Sequence, residues 1–151
     1  LKIFSEKSKN VSQISSDVTG TLVFVTLHEF AHAFINEFEL PVTGREEDSA
    51  DEFACLLLNY GGPKNQAYAL SAAKWFLIMS AASSTKDLPF WDEHSLNEQR
   101  FYDIYAFFYG SDPAKFAFAE SILPATRLQR ASTDYQKKKK AWDKLLSPHL
   151  R

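Results

Sequence analysis

The sequence predicts a mainly α-helical fold. Apolar residues recur at spacings of three and four along several long segments. No convincing run alternates apolar and polar residues as a half-buried strand would. Glycine and proline fall between the periodic segments, where helices stop and start. The chain has 151 residues, 45% hydrophobic and 24% charged, a balance that excludes disorder and collagen. Its 13 Phe, 6 Tyr and 3 Trp supply large side chains for a core of this size. There is one cysteine, Cys55, so an internal disulfide framework is excluded.

Residues 1–16 are polar and are expected to form a flexible lead-in, with residues 17–151 as a single domain. Ser16 or Asp17 is expected to cap a first helix over Val18–Phe38, whose apolar positions include Leu22, Val25, Leu27, Phe30, Ala31, Phe34, Ile35 and Phe38. Pro41 and Gly44 mark a turn. A second helix is expected over Arg45–Tyr60, with an acidic first turn suited to the positive end of a helix dipole. Gly61-Gly62-Pro63 stops it. A third, Ala-rich helix is expected over Asn65–Ala82, then a polar loop over Ser83–His94. Ser95-Leu96-Asn97-Glu98 reads as a capping box opening a fourth helix that reaches Tyr109. Gly110 ends it, and Asp112-Pro113 opens a short fifth helix. After Pro124 the chain is expected to be helical to Leu146.

No uninterrupted apolar run reaches the ~20 residues of a membrane span, so no span is expected. The net charge of -2 disfavours nonspecific nucleic-acid binding. It conceals a split, since residues 1–120 carry 9 basic and 17 acidic groups, while 121–151 carry 8 basic and 2 acidic groups. The expected arrangement is a basic helix packed beside an acidic body. Lys137–Lys140 then belong to a solvated helix face, and Cys55, inside Phe53–Leu58, to the core.

The chemistry-bearing feature is His28-Glu29-Phe30-Ala31-His32. On a helix the two histidines lie one turn apart on one face. Together they can bind one Zn²⁺, with Glu29 as general base towards a metal-activated water. A catalytic zinc site takes a third protein ligand and leaves one position open. The candidates are His94, His149 and the carboxylates of Arg45-Glu46-Glu47-Asp48-Ser49-Ala50-Asp51. Glu47 and Asp51 are four apart on one helix face, so Glu47 can bind the metal while Asp51 accepts the free ring N–H of His28 or His32. Glu46 is the alternative register, with Ala50 where a supporting carboxylate would be needed. For stabilising an oxyanion, the candidates are His94, beside Asp92 and Glu93, and then Arg100 and Tyr102.

An HExxH helix followed by an ExxAD helix resembles the gluzincin arrangement of zinc peptidases. That resemblance implies Glu47 as third ligand and Asp51 as support. The segments HEFAHAFINEFELPVTGREEDSADEFACLLL and WDEHSLNEQRFYDIYAFFYGSDP, with the closing Trp142–His149, also resemble a bacterial zinc metallopeptidase family of unassigned function. It implies a zincin-like domain with the HExxH helix packed on the ExxAD helix, one Zn²⁺, and a peptide or protein substrate. It further implies export from the cytoplasm, strand-like sequence and a leader upstream, and cysteines near Ala106 and Ala131. Leu1 is accordingly expected to be a cut upstream of the zinc helix, with a small β-sheet lacking. Two other readings are an intracellular repressor-cleaving type of zinc peptidase and a zinc-stabilised binding domain without chemistry.

Overall fold

The computed structural model describes residues 11–82, 88 and 90–150. Within these residues lie five α-helices, α1 (Val11–Glu37), α2 (Glu46–Tyr60), α3 (Pro63–Ala81), α4 (Asn97–Ser111) and α5 (Ala125–Leu146), with a 3₁₀ turn at Ala117–Ser121. Among the described residues there is no strand, so the mainly helical class holds.

Helix α1 is the central element. It packs on α2 and α3, α4 packs between α3 and α5, and α2 also touches α3, α4 and α5. The buried positions of α1 are Ile14, Asp17, Gly20, Thr21, Phe24, His28, Ala31 and Ile35, one face at three-to-four spacing. The metal motif is therefore in line with the core face. Gly20 permits the close approach of α3, because a Cβ there would come within 2.8 Å of the Tyr68 Cα. Phe24, Phe53, Phe76 and Phe108 are all but fully buried and join α1, α2, α3 and α4 in one cluster.

Several local expectations change. Helix α1 begins at Val11 rather than Val18. Residues 11–16, expected in a lead-in, are thus helical, and residues 1–10 lie outside the described residues. Asp17 is not a cap. It is buried and bound by Lys74 Nζ at 2.6 Å, Ser71 Oγ at 3.0 Å and Gln13 Nε2 at 2.9 Å. Burial by itself would raise the Asp17 pKa, but these hydrogen bonds and the Lys74 charge outweigh it and lower the value. By length and composition α1 also passes as a membrane span, with a window of mean hydropathy 1.4. The uninterrupted-run criterion missed this because His28 and Glu29 break the run. In the structure α1 is a packed helix that carries a paired, buried carboxylate.

Pro63 both follows the stop of α2 and opens α3 at its first turn, behind Gly62 at φ +79°, a backbone conformation that favours glycine. The capping box at Ser95 does not form. The Ser95 hydroxyl donates instead to Asp48 Oδ1 at 2.6 Å, and Gln99 Oε1 accepts the Leu96 N–H at 2.9 Å, one residue further on. Asp112-Pro113 makes a turn, with Asp112 Oδ1 accepting the Lys115 N–H, and the short helix is the 3₁₀ turn at Ala117. Of the expected loop over 83–94, residues 83–87 and 89 lie outside the described residues.

The basic last helix does pack beside acidic neighbours. Arg127 pairs with Asp103 of α4 and Lys138 with Glu52 of α2. Cys55 is a buried free thiol, and burial pushes its pKa well above the ordinary range, so it is inert. Ala106 and Ala131, the positions near which the resemblance implies cysteines, are both buried and line one small cavity at the α4–α5 seam.

Candidate metal centre

Two helices and one loop meet at the site. Helix α1 presents His28 and His32 one turn apart, their ring centroids 4.9 Å from each other. After the turn at 38–45, α2 runs back alongside α1 and presents Glu46, Glu47 and Asp51 from its first two turns. The segment before α4 presents His94.

Three imidazole nitrogens converge on one carboxylate. His28 Nε2 lies 3.0 Å and His94 Nε2 2.8 Å from Glu47 Oε2. His32 Nε2 lies 3.4 Å from Glu47 Oε1 and 3.2 Å from His28 Nε2. The other nitrogen of each ring faces a different carboxylate. His28 Nδ1 is 2.8 Å from Asp51 Oδ1, His32 Nδ1 is 2.7 Å from Glu46 Oε1, and His94 Nδ1 is 3.0 Å from Asp92 Oδ1.

This pattern sets the chemistry. A carboxylate accepts and does not donate, so each Nδ1 carries the proton. With Nδ1 so protonated, each Nε2 either carries a second proton that it donates to Glu47 or offers its lone pair to a cation shared with Glu47. The donor set fits a zinc ion by size as well. Zinc–ligand bonds of about 2.0–2.1 Å in a tetrahedron separate adjacent donors by about 3.3–3.4 Å. The separations of 3.0 Å from His28 to Glu47 Oε2, 3.2 Å between the histidines and 3.4 Å from His32 to Glu47 Oε1 are close to that value, with the two rings facing different oxygens of the carboxylate. The donor atoms of these three residues all lie within 4.8 Å of one another, as do those of Glu47, Glu93 and His94.

The surroundings differ from ring to ring. His28 is buried. Asp51, which faces it, is bound from the other side by Arg100, with Nε 2.7 Å from Oδ2 and Nη2 2.7 Å from Oδ1. Burial alone would raise the Asp51 pKa, but the hydrogen bonds from His28 and Arg100 and the Arg100 charge outweigh it and lower the value. His32 is more open. Its partial burial favours the neutral ring, yet the Glu46 hydrogen bond and the charges of Glu47, Glu46 and Glu29 prevail and raise its pKa. Glu29 lies three residues before His32 on α1. Glu29 itself is exposed. Asp92 has a lowered pKa because it accepts both the backbone N–H and the ring N–H of His94.

Of the sequence-derived residues, His28, His32, Glu46, Glu47, Asp51 and His94 are thus brought together, while Glu29 is exposed on α1 and three others stand apart. His149 stacks on Phe38 at 4.2 Å and is no part of the cluster. The Arg100 guanidinium is committed to Asp51, so it is not a free oxyanion donor. Tyr102 lines one groove with Asp17, Lys74 and Tyr105 and another with Asp48 and Ser95, and is not among the residues lining the cavity of about 340 Å³ that His94 shares with Asp92, Leu96 and Arg100. Sequence reasoning missed that Glu46 partners His32. The signal was present in the adjacent pair Glu46-Glu47, since neighbouring residues on a first turn can reach the two ends of one imidazole. Ser95 and Arg45, which fix the His94 segment through Asp48 Oδ1 and the His94 carbonyl, carried no such signal.

A histidine pair on one helix facing a carboxylate on the next is a donor set that can hold a metal ion. The chain belongs to a family described as putative metallopeptidases, whose pattern it matches over residues 1–146. No curated protein and no solved structure matches it.

Proposed function

We propose that the protein is a zinc-dependent metallopeptidase whose metal is held by His28, His32 and Glu47. The observation that carries this reading is the convergence of the His28 and His32 Nε2 atoms on the Glu47 carboxylate, with both Nδ1 atoms fixed by Asp51 and Glu46. When bound, zinc supplies a Lewis acid that polarises a peptide carbonyl and lowers the pKa of water.

Each of the chain's residues then has a defined task. His28 and His32 offer lone pairs at Nε2 because their Nδ1 protons are taken up elsewhere. Asp51 and Glu46 fix the ring planes. The Glu29 carboxylate, exposed on α1 beside His32, accepts the proton of the attacking water and returns it to the leaving amine nitrogen. His94, held through Nδ1 by Asp92, is the donor for the oxygen that gains charge. In its doubly protonated form both ring nitrogens donate, Nδ1 to Asp92 and Nε2 to that oxygen.

The test is Glu29→Gln. This substitution keeps the shape of the side chain and removes its basicity. The variant is expected to retain about one equivalent of zinc and to lose cleavage of a peptide library by about 10²-fold or more, the scale of general-base catalysis. Full activity in Glu29→Gln would overturn the role of Glu29. A wild-type protein that binds zinc and cleaves nothing would favour a zinc-stabilised binding domain.

A further inference from the structure

Arg100 stands one layer behind the proposed ligands. Its side chain is only 13% exposed, as is that of Asp51. The guanidinium meets the Asp51 carboxylate at two points, 2.7 Å each, the planar fork that only arginine offers. Its other face is also occupied, because the guanidinium carbon lies 3.9 Å over the ring centroid of Phe76. Phe76 is buried in α3 and meets Phe24 of α1 edge-on at 6.0 Å. Arg100 is therefore held from both sides, by a carboxylate and by the aromatic core.

The same oxygen that accepts Nη2 of Arg100, Asp51 Oδ1, accepts the Nδ1 proton of His28. A carboxylate held by one bond can swing about its last torsion, which is broad. One held by a fork has its plane fixed, and the imidazole that leans on it inherits that plane. His32 has no equivalent. Its partner Glu46 is 47% exposed on its side chain and pairs with no cation among the described residues. The site thus has one tightly set imidazole and one adaptable one.

We infer that Arg100 is a positioning residue for the metal centre, aiming His28 Nε2 through Asp51. The inference rests on the proposed role of His28 as a ligand. It requires a fork at position 100, beyond a mere positive charge. Arg100→Lys keeps the charge and loses the two-point contact, while Arg100→Gln loses both. Zinc affinity, measured by competition with a chromophoric chelator, is expected to fall about 10–100-fold in Arg100→Gln and about 10-fold in Arg100→Lys, the scale for groups that orient a ligand. The visible bands of the cobalt-loaded protein, which report ligand geometry, are expected to shift in both variants. Combining Arg100→Gln with Asp51→Asn should weaken binding no further than Asp51→Asn alone, because both act through one contact. Arg127→Gln breaks another α4 ion pair, that with Asp103, and should leave affinity and bands unchanged.

Zinc binding by Arg100→Lys within about twofold of wild type, well short of the scale for ligand-orienting groups, with unaltered cobalt bands, would overturn the inference. If Arg100→Gln fails to fold, judged by circular dichroism, Arg100→Lys carries the test. A wild-type chain that binds no zinc would overturn the ligand reading of His28, and the inference with it. Wild-type binding with unaffected Arg100 variants would overturn the inference alone.

Discussion

Glu47 and Glu46 are neighbours on α2, and the proposed centre gives them unequal weight at the metal. Glu47 offers its oxygens to three Nε2 atoms at 2.8, 3.0 and 3.4 Å. Glu46 touches only the far nitrogen of His32, and its side chain is 47% exposed. Structural zinc sites gain about 10–16 kcal/mol from four ligands, so losing one costs roughly 3 kcal/mol, or about 100-fold in affinity. Losing an exposed group that only orients a ligand costs about 10-fold. At zinc of about 100 times the wild-type dissociation constant, binding stabilises the fold by about 2.7 kcal/mol. The same zinc stabilises Glu46→Ala by about 1.4 kcal/mol and Glu47→Ala by about 0.4 kcal/mol. At about 2–4 °C per kcal/mol for a chain of this size, zinc should raise the wild-type melting temperature by about 5–10 °C. The rise should be about 3–5 °C in Glu46→Ala and about 1 °C in Glu47→Ala. Differential scanning fluorimetry with and without zinc reads all three directly. Equal shifts in the two variants, or the larger loss in Glu46→Ala, would refute the reasoning.

Two further outcomes concern the fold. The lowered pKa of buried Asp17 means that its pairing with Lys74, Ser71 and Gln13 is fully present above the unfolded carboxyl value of about 3.9 and is lost as pH falls through the lower folded value. Unfolding by urea between about pH 5 and pH 2 should show a steeper acid loss in wild type than in Asp17→Asn, and parallel profiles would refute the pairing. Gly20→Ala places a methyl group 2.8 Å from the Tyr68 backbone and should cost about 1–3 kcal/mol by overpacking, against the gain alanine normally brings to a helix. An unchanged urea midpoint would show that α1 and α3 part easily.

Helix positions were legible wherever apolar spacing set them, as in α2 and α5. The HExxH and ExxAD residues were legible because contacts at i and i+4 lie within a helix turn and need no knowledge of the fold. What stayed hidden depends on partners far apart in sequence. Asp17 looks like a helix cap until Lys74 and Ser71 arrive from α3, more than fifty residues away. Ser95 looks like a cap until Asp48 competes for its hydroxyl. Arg100, one of several polar residues at the start of α4, gains its role only from Asp51 on α2 and Phe76 on α3. In each case a tertiary contact outbid a local one, and no local pattern records the competition.

The His94 segment gives the centre one wall unlike the others. His28, His32 and Glu47 ride on helices whose packing is shared with the core. The loop residues around His94 are fixed to the start of α2 by four polar contacts, Arg45 to the His94 carbonyl, Arg45 to Ser95, Ser95 to Asp48 and His94 to Glu47. At about 1 kcal/mol net each, releasing them costs about 4 kcal/mol, an opening present about once in 1,000 molecules. Loop movements take nanoseconds to microseconds, whereas enzymes commonly turn over about ten times a second. On the proposed peptidase reading, entry past this wall is therefore fast on the timescale of turnover.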